Sequence, residues 1–288
     1  MAVGKSNPSI ISSRAVDNEK TEFLADKLRE LSSPYISLDN TFAVMTECAK
    51  KIPELSDDDD DSSNVGFSSS TTSRIDWKYL IENEKAIDVL VDCLHRISYI
   101  DVDETTTRID IERYYVRICC FLNCILLRGG SADAAAANEI VEKGGFDHCL
   151  NIMEAFRSNV LIQCASLGFI ACLVCRVVDN HYINSRMIIP IYKTIAKVLQ
   201  KHEMSEECYY FACIVLGNCG TTSKSSTVIP TKLRNKVVKR IYHGLLRHSD
   251  EARSKAVGRR LLIDLVGTED AMKMFGAVEI SDHEGGHA

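Results

Sequence analysis

The chain has 288 residues, of which 45% are apolar and 26% charged, with a formal net charge of -6. That is the composition of a folded globular protein able to bury a core without disulfide or metal staples. Five prolines and 15 glycines argue against a turn-rich β architecture and for long helices.

Charge and cysteine are both unevenly placed. From Glu47 to Glu112 there are 17 acidic residues, whereas from Lys232 to Arg260 ten lysines and arginines face two acids, Asp250 and Glu251. Separate acidic and basic surfaces are expected. The 12 cysteines lie inside apolar runs such as Cys119-Cys120-Phe121-Leu122, where free cysteine acts as a small hydrophobe. The first 15 residues lack the apolar core of a signal peptide. Reduced thiols and a cytoplasmic or nuclear location are therefore expected. The longest apolar run, Val160 to Cys175, has 16 residues, short of the roughly 20 that span a bilayer. It reads as a buried helix, with no membrane partner.

In chain order, residues 1–15 carry no periodicity and read as a disordered N-terminus. Residues 16–55 predict an N-terminal helical hairpin or cap. Its first helix follows Asp17, with Leu24, Leu28 and Leu31 on one face, and ends at Ser32-Ser33-Pro34. Its second starts near Asp39 or Asn40, with Phe42, Met45, Ala49 and Ile52 inward. Residues 56–74 read as an acidic linker too rich in serine and aspartate to offset its chain entropy. Residues 75–268 then read as helix after helix, over 77–97, 109–127, 132–143, 146–156, 160–178, 185–201, 205–219, 232–247 and 251–266. Most of these runs are too long for strands. Residues 269–288 form a C-terminal tail.

A repeat underlies the helical region. Phe121-Leu122-Asn123-Cys124, Phe169-Ile170-Ala171-Cys172, Leu216-Gly217-Asn218-Cys219 and Leu262-Ile263-Asp264-Leu265 align without gaps, and their third positions are 48, 47 and 46 residues apart. Seven residues before each third position stand Val116, Cys164, Phe211 and Val257, all apolar. Six before stand Arg117, Ala165, Ala212 and Gly258, small in three of four. Nineteen before the last three stand Ile152, Leu199 and Leu245. Such a period, with two or three helices per unit, suits a stack in which neighbours bury each other's apolar stripes.

Glu139-Ile140-Val141-Glu142-Lys143-Gly144-Gly145-Phe146 is similar to the armadillo pattern in which a short helix ends at a glycine pair. Val215-Leu216-Gly217-Asn218-Cys219 resembles the leucine-x-asparagine end of that family's third helix. The resemblance covers about residues 76 to 268. It implies an all-α fold, a right-handed armadillo-type α-solenoid of about four repeats with an N-terminal helical cap. It also implies a groove in which Asn123, Asn218 and Asp264 meet a partner, the asparagines bonding a peptide backbone through amides that both donate and accept. Ala171 and Asp264 depart from the family's asparagine, which interrupts the ladder.

Motifs for catalysis or metal carry little. His283-Glu284-Gly285-Gly286-His287 matches a zinc-protease signature, but its glycines each cost about 1 kcal/mol of helix propensity and no third ligand follows. Gly4-Lys5-Ser6 lacks the rest of a phosphate loop. Cys172 and Cys175 have metal-type spacing without a second pair, and Cys120 and Cys124 lie one helical turn apart; both pairs read as core. No catalytic residue, metal or cofactor is expected. The expected function is a non-catalytic protein–protein interaction scaffold or adaptor. A basic surface of Arg234, Lys236, Lys239, Arg240, Arg247, Arg253, Arg259 and Arg260 suits an acidic protein or peptide partner. Nucleic acid, RNA in particular, is the weaker alternative, since no aromatic residues interleave the bases. Ser56 followed by Asp57 to Asp61 suggests a tethered acidic cover for that surface, strengthened by phosphorylation.

Overall fold

The computed structural model describes residues 8–33, 38–51, 75, 77–82, 85–99, 108–128, 133–177, 185–220 and 229–275, and every regular element among them is a helix. The chain divides into two compact units, residues 1–148 and 149–288. No described helix is long and apolar enough to cross a membrane. The predicted linker at 56–74, and with it Asp57 to Asp61, lies outside the described residues, as do Gly4-Lys5-Ser6 and His283 to His287.

The first unit contains α1 (Pro8–Leu31), α2 (Leu38–Lys51), α3 (Trp77–Glu82), α4 (Ala86–Ser98), α5 (Arg108–Arg128), α6 (Asp133–Glu142) and the first turn of α7 (Gly145–Ala155). Helix α1 begins at Pro8, inside the segment expected to be disordered. Leu24, Leu28 and Leu31 of α1 and Met45 of α2 are buried as their spacing requires. The hairpin packs back on its unit: α2 lies against α5, where the Arg117 guanidinium donates to the Thr46 hydroxyl at 2.7 Å. The helix expected over 77–97 is two helices, because Lys85 takes left-handed backbone with φ 49°. At the glycine pair, Gly144 has φ 81°, a conformation costly for any residue with a Cβ. At Gly145 a Cβ would lie 3.2 Å from Val91 Cγ2, so this position needs closeness rather than conformational freedom.

The second unit holds the rest of α7, then α8 (Val160–Arg176), α9 (Ser185–Lys201), α10 (Glu206–Gly220), α11 (Thr231–Arg247) and α12 (Ala252–Val266), with a short α13 over 268–275. That last helix buries Ala271 and Phe275, so packed structure extends past residue 268. Helix α10 packs against both α8 and α12, α9 packs against α11, and α10 also meets α9. The apolar run of α8 is buried within this unit, with Ile162, Phe169 and Leu173 fully inaccessible. Truncating such a side chain to alanine costs about 3–5 kcal/mol for phenylalanine.

A turn recurs between the helices of this unit. The backbone N–H of Phe156, His202 and His248 bonds the carbonyl four residues back, at 2.9, 2.8 and 2.9 Å. The N–H of Asn159, Ser205 and Glu251 then bonds the carbonyl of that same residue, at 2.9, 3.0 and 3.2 Å. Asn159 and Ser205 also cap the next helix, their side-chain oxygens accepting from the N–H of Ile162 at 3.0 Å and of Cys208 at 3.2 Å. Such caps satisfy donors that a helix start leaves open. Phe169, Leu216 and Leu262, equivalent in the sequence alignment, are all fully buried.

Two glycines make room for one ring. Tyr209 of α10 is buried, and its hydroxyl donates to the Ile241 carbonyl of α11 at 3.2 Å. A Cβ on Gly244 would overlap the Tyr209 ring, and one on Gly258 would overlap its hydroxyl. The small residue predicted at 258 is thus explained by this ring.

Candidate binding groove

In the second unit, two α-helical faces meet along a groove of about 200 Å³. Cys213, Ile214, Gly217 and Asn218 come from α10, and Val257, Arg260, Leu261 and Asp264 from α12. Their spacings of three and four place each set on one side of its helix. The buried Cys213 and Leu261 form the floor, while Arg260 and Asp264 are exposed at the edge. Gly217 leaves the groove open: nothing lies within 4 Å of where its Cβ would be. Burial pushes the Cys213 thiol up to about 12, so the floor presents a protonated, inert sulfur.

The sequence-predicted groove residues divide between the units. Asn218 and Asp264 line this groove together. The Asn218 amide donates to the Ala171 carbonyl of α8 at 3.2 Å, which joins two of the aligned positions across neighbouring helices. Part of the amide's capacity is thus spent inside the unit. Asn123 lies on α5 of the first unit, with a buried Oδ1 that accepts no hydrogen bond from the described residues.

The predicted basic surface is split between structural and open positions. The Arg234 guanidinium donates to the Leu265 carbonyl. Arg247 pairs with Glu203 at 3.1 Å and Arg253 with Glu206 at 3.2 Å. Arg253 also lies 4.2 Å from the centre of the Tyr210 ring, and Arg259 5.4 Å from that of Phe275. Lys236 and Lys239 are exposed on α11, and Arg240 is half-buried. Four of the eight cations thus have partners within the protein, which periodicity alone cannot reveal.

All 12 cysteines are free thiols. Burial pushes Cys172 up to about 11, while its neighbour in the motif, Cys175, is exposed. Among the described residues, no group of three or more histidine, cysteine or acidic side chains could hold a metal. Two features escaped sequence reasoning. His202 Nε2 lies 2.9 Å from the Arg157 carbonyl and His248 Nε2 3.2 Å from that of Glu203; their own spacing, equal to the repeat, was the missed signal. In the first unit, His95 and His148 meet edge to face with centroids 4.7 Å apart, and Ser98 Oγ lies 3.3 Å from His148 Nδ1.

Compared with known proteins, the chain matches no family model, no curated protein and no solved structure.

Proposed function

We propose that the chain is a non-catalytic scaffold or adaptor of armadillo type, a right-handed α-solenoid of about four repeats that binds an extended peptide or helix of a partner protein. The observation that carries this reading is the open groove at Gly217, bordered by Asn218, Asp264 and Arg260. It lies between α10 and α12, two helices at equivalent positions of the sequence repeat. The recurring turn supports the repeat itself. The groove offers an amide, a carboxylate and a guanidinium around an apolar floor, a set suited to a peptide backbone and one charged side chain of either sign. Because its walls are helices held by buried side chains, little ordering cost falls on this side of the complex.

The partner is an acidic peptide in this reading, matched by the Arg260 guanidinium at the groove edge and by the excess of lysine and arginine between residues 232 and 260. The RNA alternative has less support, since Arg234, Arg247, Arg253 and Arg259 are engaged within the protein.

Selection of a random peptide phage library on the immobilised protein tests the proposal. Peptides so selected should lose at least tenfold in affinity for Gly217→Trp, which fills the groove, while circular dichroism of the variant stays unchanged. Peptides that bind wild type and a folded Gly217→Trp equally well place binding elsewhere and sink the groove. A single-stranded RNA oligomer that binds tightly, with affinity falling steeply as salt rises, favours the nucleic-acid reading instead.

A further inference from the structure

Cys164 on α8 and Cys208 on α10 bring their sulfurs to 3.2 Å across the helix pair. Reaching the bonded distance of about 2.05 Å requires a shift of only about 1 Å. The other aligned positions in the column of Cys164 hold Val116, Phe211 and Val257, so plain hydrophobes serve the packing there. Cys164 is partly exposed, whereas Cys208 is buried beneath it. Ser205 stands at the same junction, its Oγ 4.0 Å from Cys164 Sγ and accepting the Cys208 N–H at 3.2 Å.

We infer that Cys164 and Cys208 are an oxidisable dithiol, a modification site that takes a hydroperoxide as oxidant and closes to a disulfide tying α8 to α10. The pair's electrostatics support this. The S–H of one sulfur bonds the other, and with Ser205 this lowers the Cys208 thiol below its ordinary value, while loss of a second proton is opposed, raising Cys164. The remaining proton is held between the two sulfurs, and of the two only Cys164 meets solvent.

In the first step the shared proton rests on Cys208, across the 3.2 Å contact, and the Cys164 sulfur, the one open to solvent, attacks one peroxide oxygen. An S–O bond forms, the O–O bond breaks, and the departing oxygen takes a proton. The product is a sulfenic acid at Cys164. Cys208 sulfur then attacks the Cys164 sulfur, an S–S bond forms, the S–O bond breaks, and hydroxide leaves with the Cys208 proton as water. With hydrogen peroxide, two thiols and one peroxide give one disulfide and two waters; the sulfurs lose two electrons and the peroxide oxygens gain them.

The test is oxidation of the folded full chain with hydrogen peroxide, alkylation, digestion without reductant and mass spectrometry. The expected product is a cross-linked peptide pair containing Cys164 and Cys208, two thiols fewer per chain, restored by dithiothreitol. In Cys208→Ser, Cys164 should stop at the sulfenic acid and be captured by dimedone. The inference is overturned if a peroxide dose that oxidises the exposed Cys175 leaves Cys164 and Cys208 open to alkylation. It is equally overturned if wild-type Cys164 accumulates as sulfinic acid or joins a different cysteine. The wild-type result decides the matter even if the serine variant fails to fold.

Discussion

His248 Nε2 lies 3.2 Å from the backbone carbonyl of Glu203, and His202 makes the same reach to Arg157 at 2.9 Å. A carbonyl only accepts, so Nε2 carries the proton in both. Each histidine is buried and bonds a turn in the preceding helix pair. Removing either deletes a part-buried hydrogen bond, at about 0.5–1.5 kcal/mol. His202→Ala and His248→Ala should each lower urea stability by that amount. His248→Phe, which introduces the residue present at the first turn, should recover packing but not the hydrogen bond.

Tyr209 and Gly258 should be energetically coupled. Gly258→Ala puts a methyl group into the tyrosine hydroxyl, and overpacking of this sort costs about 1–3 kcal/mol. Tyr209→Phe removes the obstructing oxygen together with its bond to Ile241. In the Tyr209→Phe background, Gly258→Ala should therefore cost clearly less than in wild type. Additive losses in a denaturant-measured double-mutant cycle would show that the overlap is relieved elsewhere.

The groove predicts opposite effects on stability and binding. Gly217 is in the interior of α10 with open space beside it, so Gly217→Ala should stabilise by about 0.5–1 kcal/mol through helix propensity. Larger residues there should progressively weaken peptide binding. Asn218→Ala loses the bond to Ala171 and should cost about 1 kcal/mol of stability. Thermal melts and peptide titrations on the same variants separate the two effects.

His148 should make the protein weaker in mild acid. Burial, followed by the neighbouring His95, holds its pKa below the ordinary value of 6.5, against weaker pulls from Asp147 and Asp92. The unfolded chain therefore takes up the proton first. The stability carried by the neutral ring is complete above the ordinary value and is lost as pH falls through the lower folded value. The urea midpoint should fall between pH of about 7.5 and about 5.5, and His148→Gln should narrow the difference.

The helices of the second unit were legible because each presents a continuous apolar face. The segments predicted at 205–219 and 251–266 match α10 and α12 within a residue. Asn218 and Asp264, aligned in the sequence repeat, line one hollow between α10 and α12. The break at Lys85 was not legible, since its backbone is left-handed yet no glycine or proline marks it. Nor could spacing show that Arg234 and Arg253 are engaged, because periodicity tells which face turns inward but not which helix covers it. Gly217 passed as an ordinary member of its segment, as openness depends on the neighbouring helix.

The ring of Tyr209 has a consequence for errors in assembly. One repeat earlier, the positions of Tyr209, Gly244 and Gly258 are held by Ile162, Val198 and Ala212. Similar units invite slippage by one whole unit, or exchange of helices between two copies. A junction slipped in that way sets the ring against the side chains of Val198 and Ala212, where no hollow awaits it. The converse mismatch sets Ile162, smaller than tyrosine, opposite two glycines and leaves a void. One aromatic residue and two absent methyl groups thus act as an address, making the correct order of near-equivalent helices cheaper than its permutations.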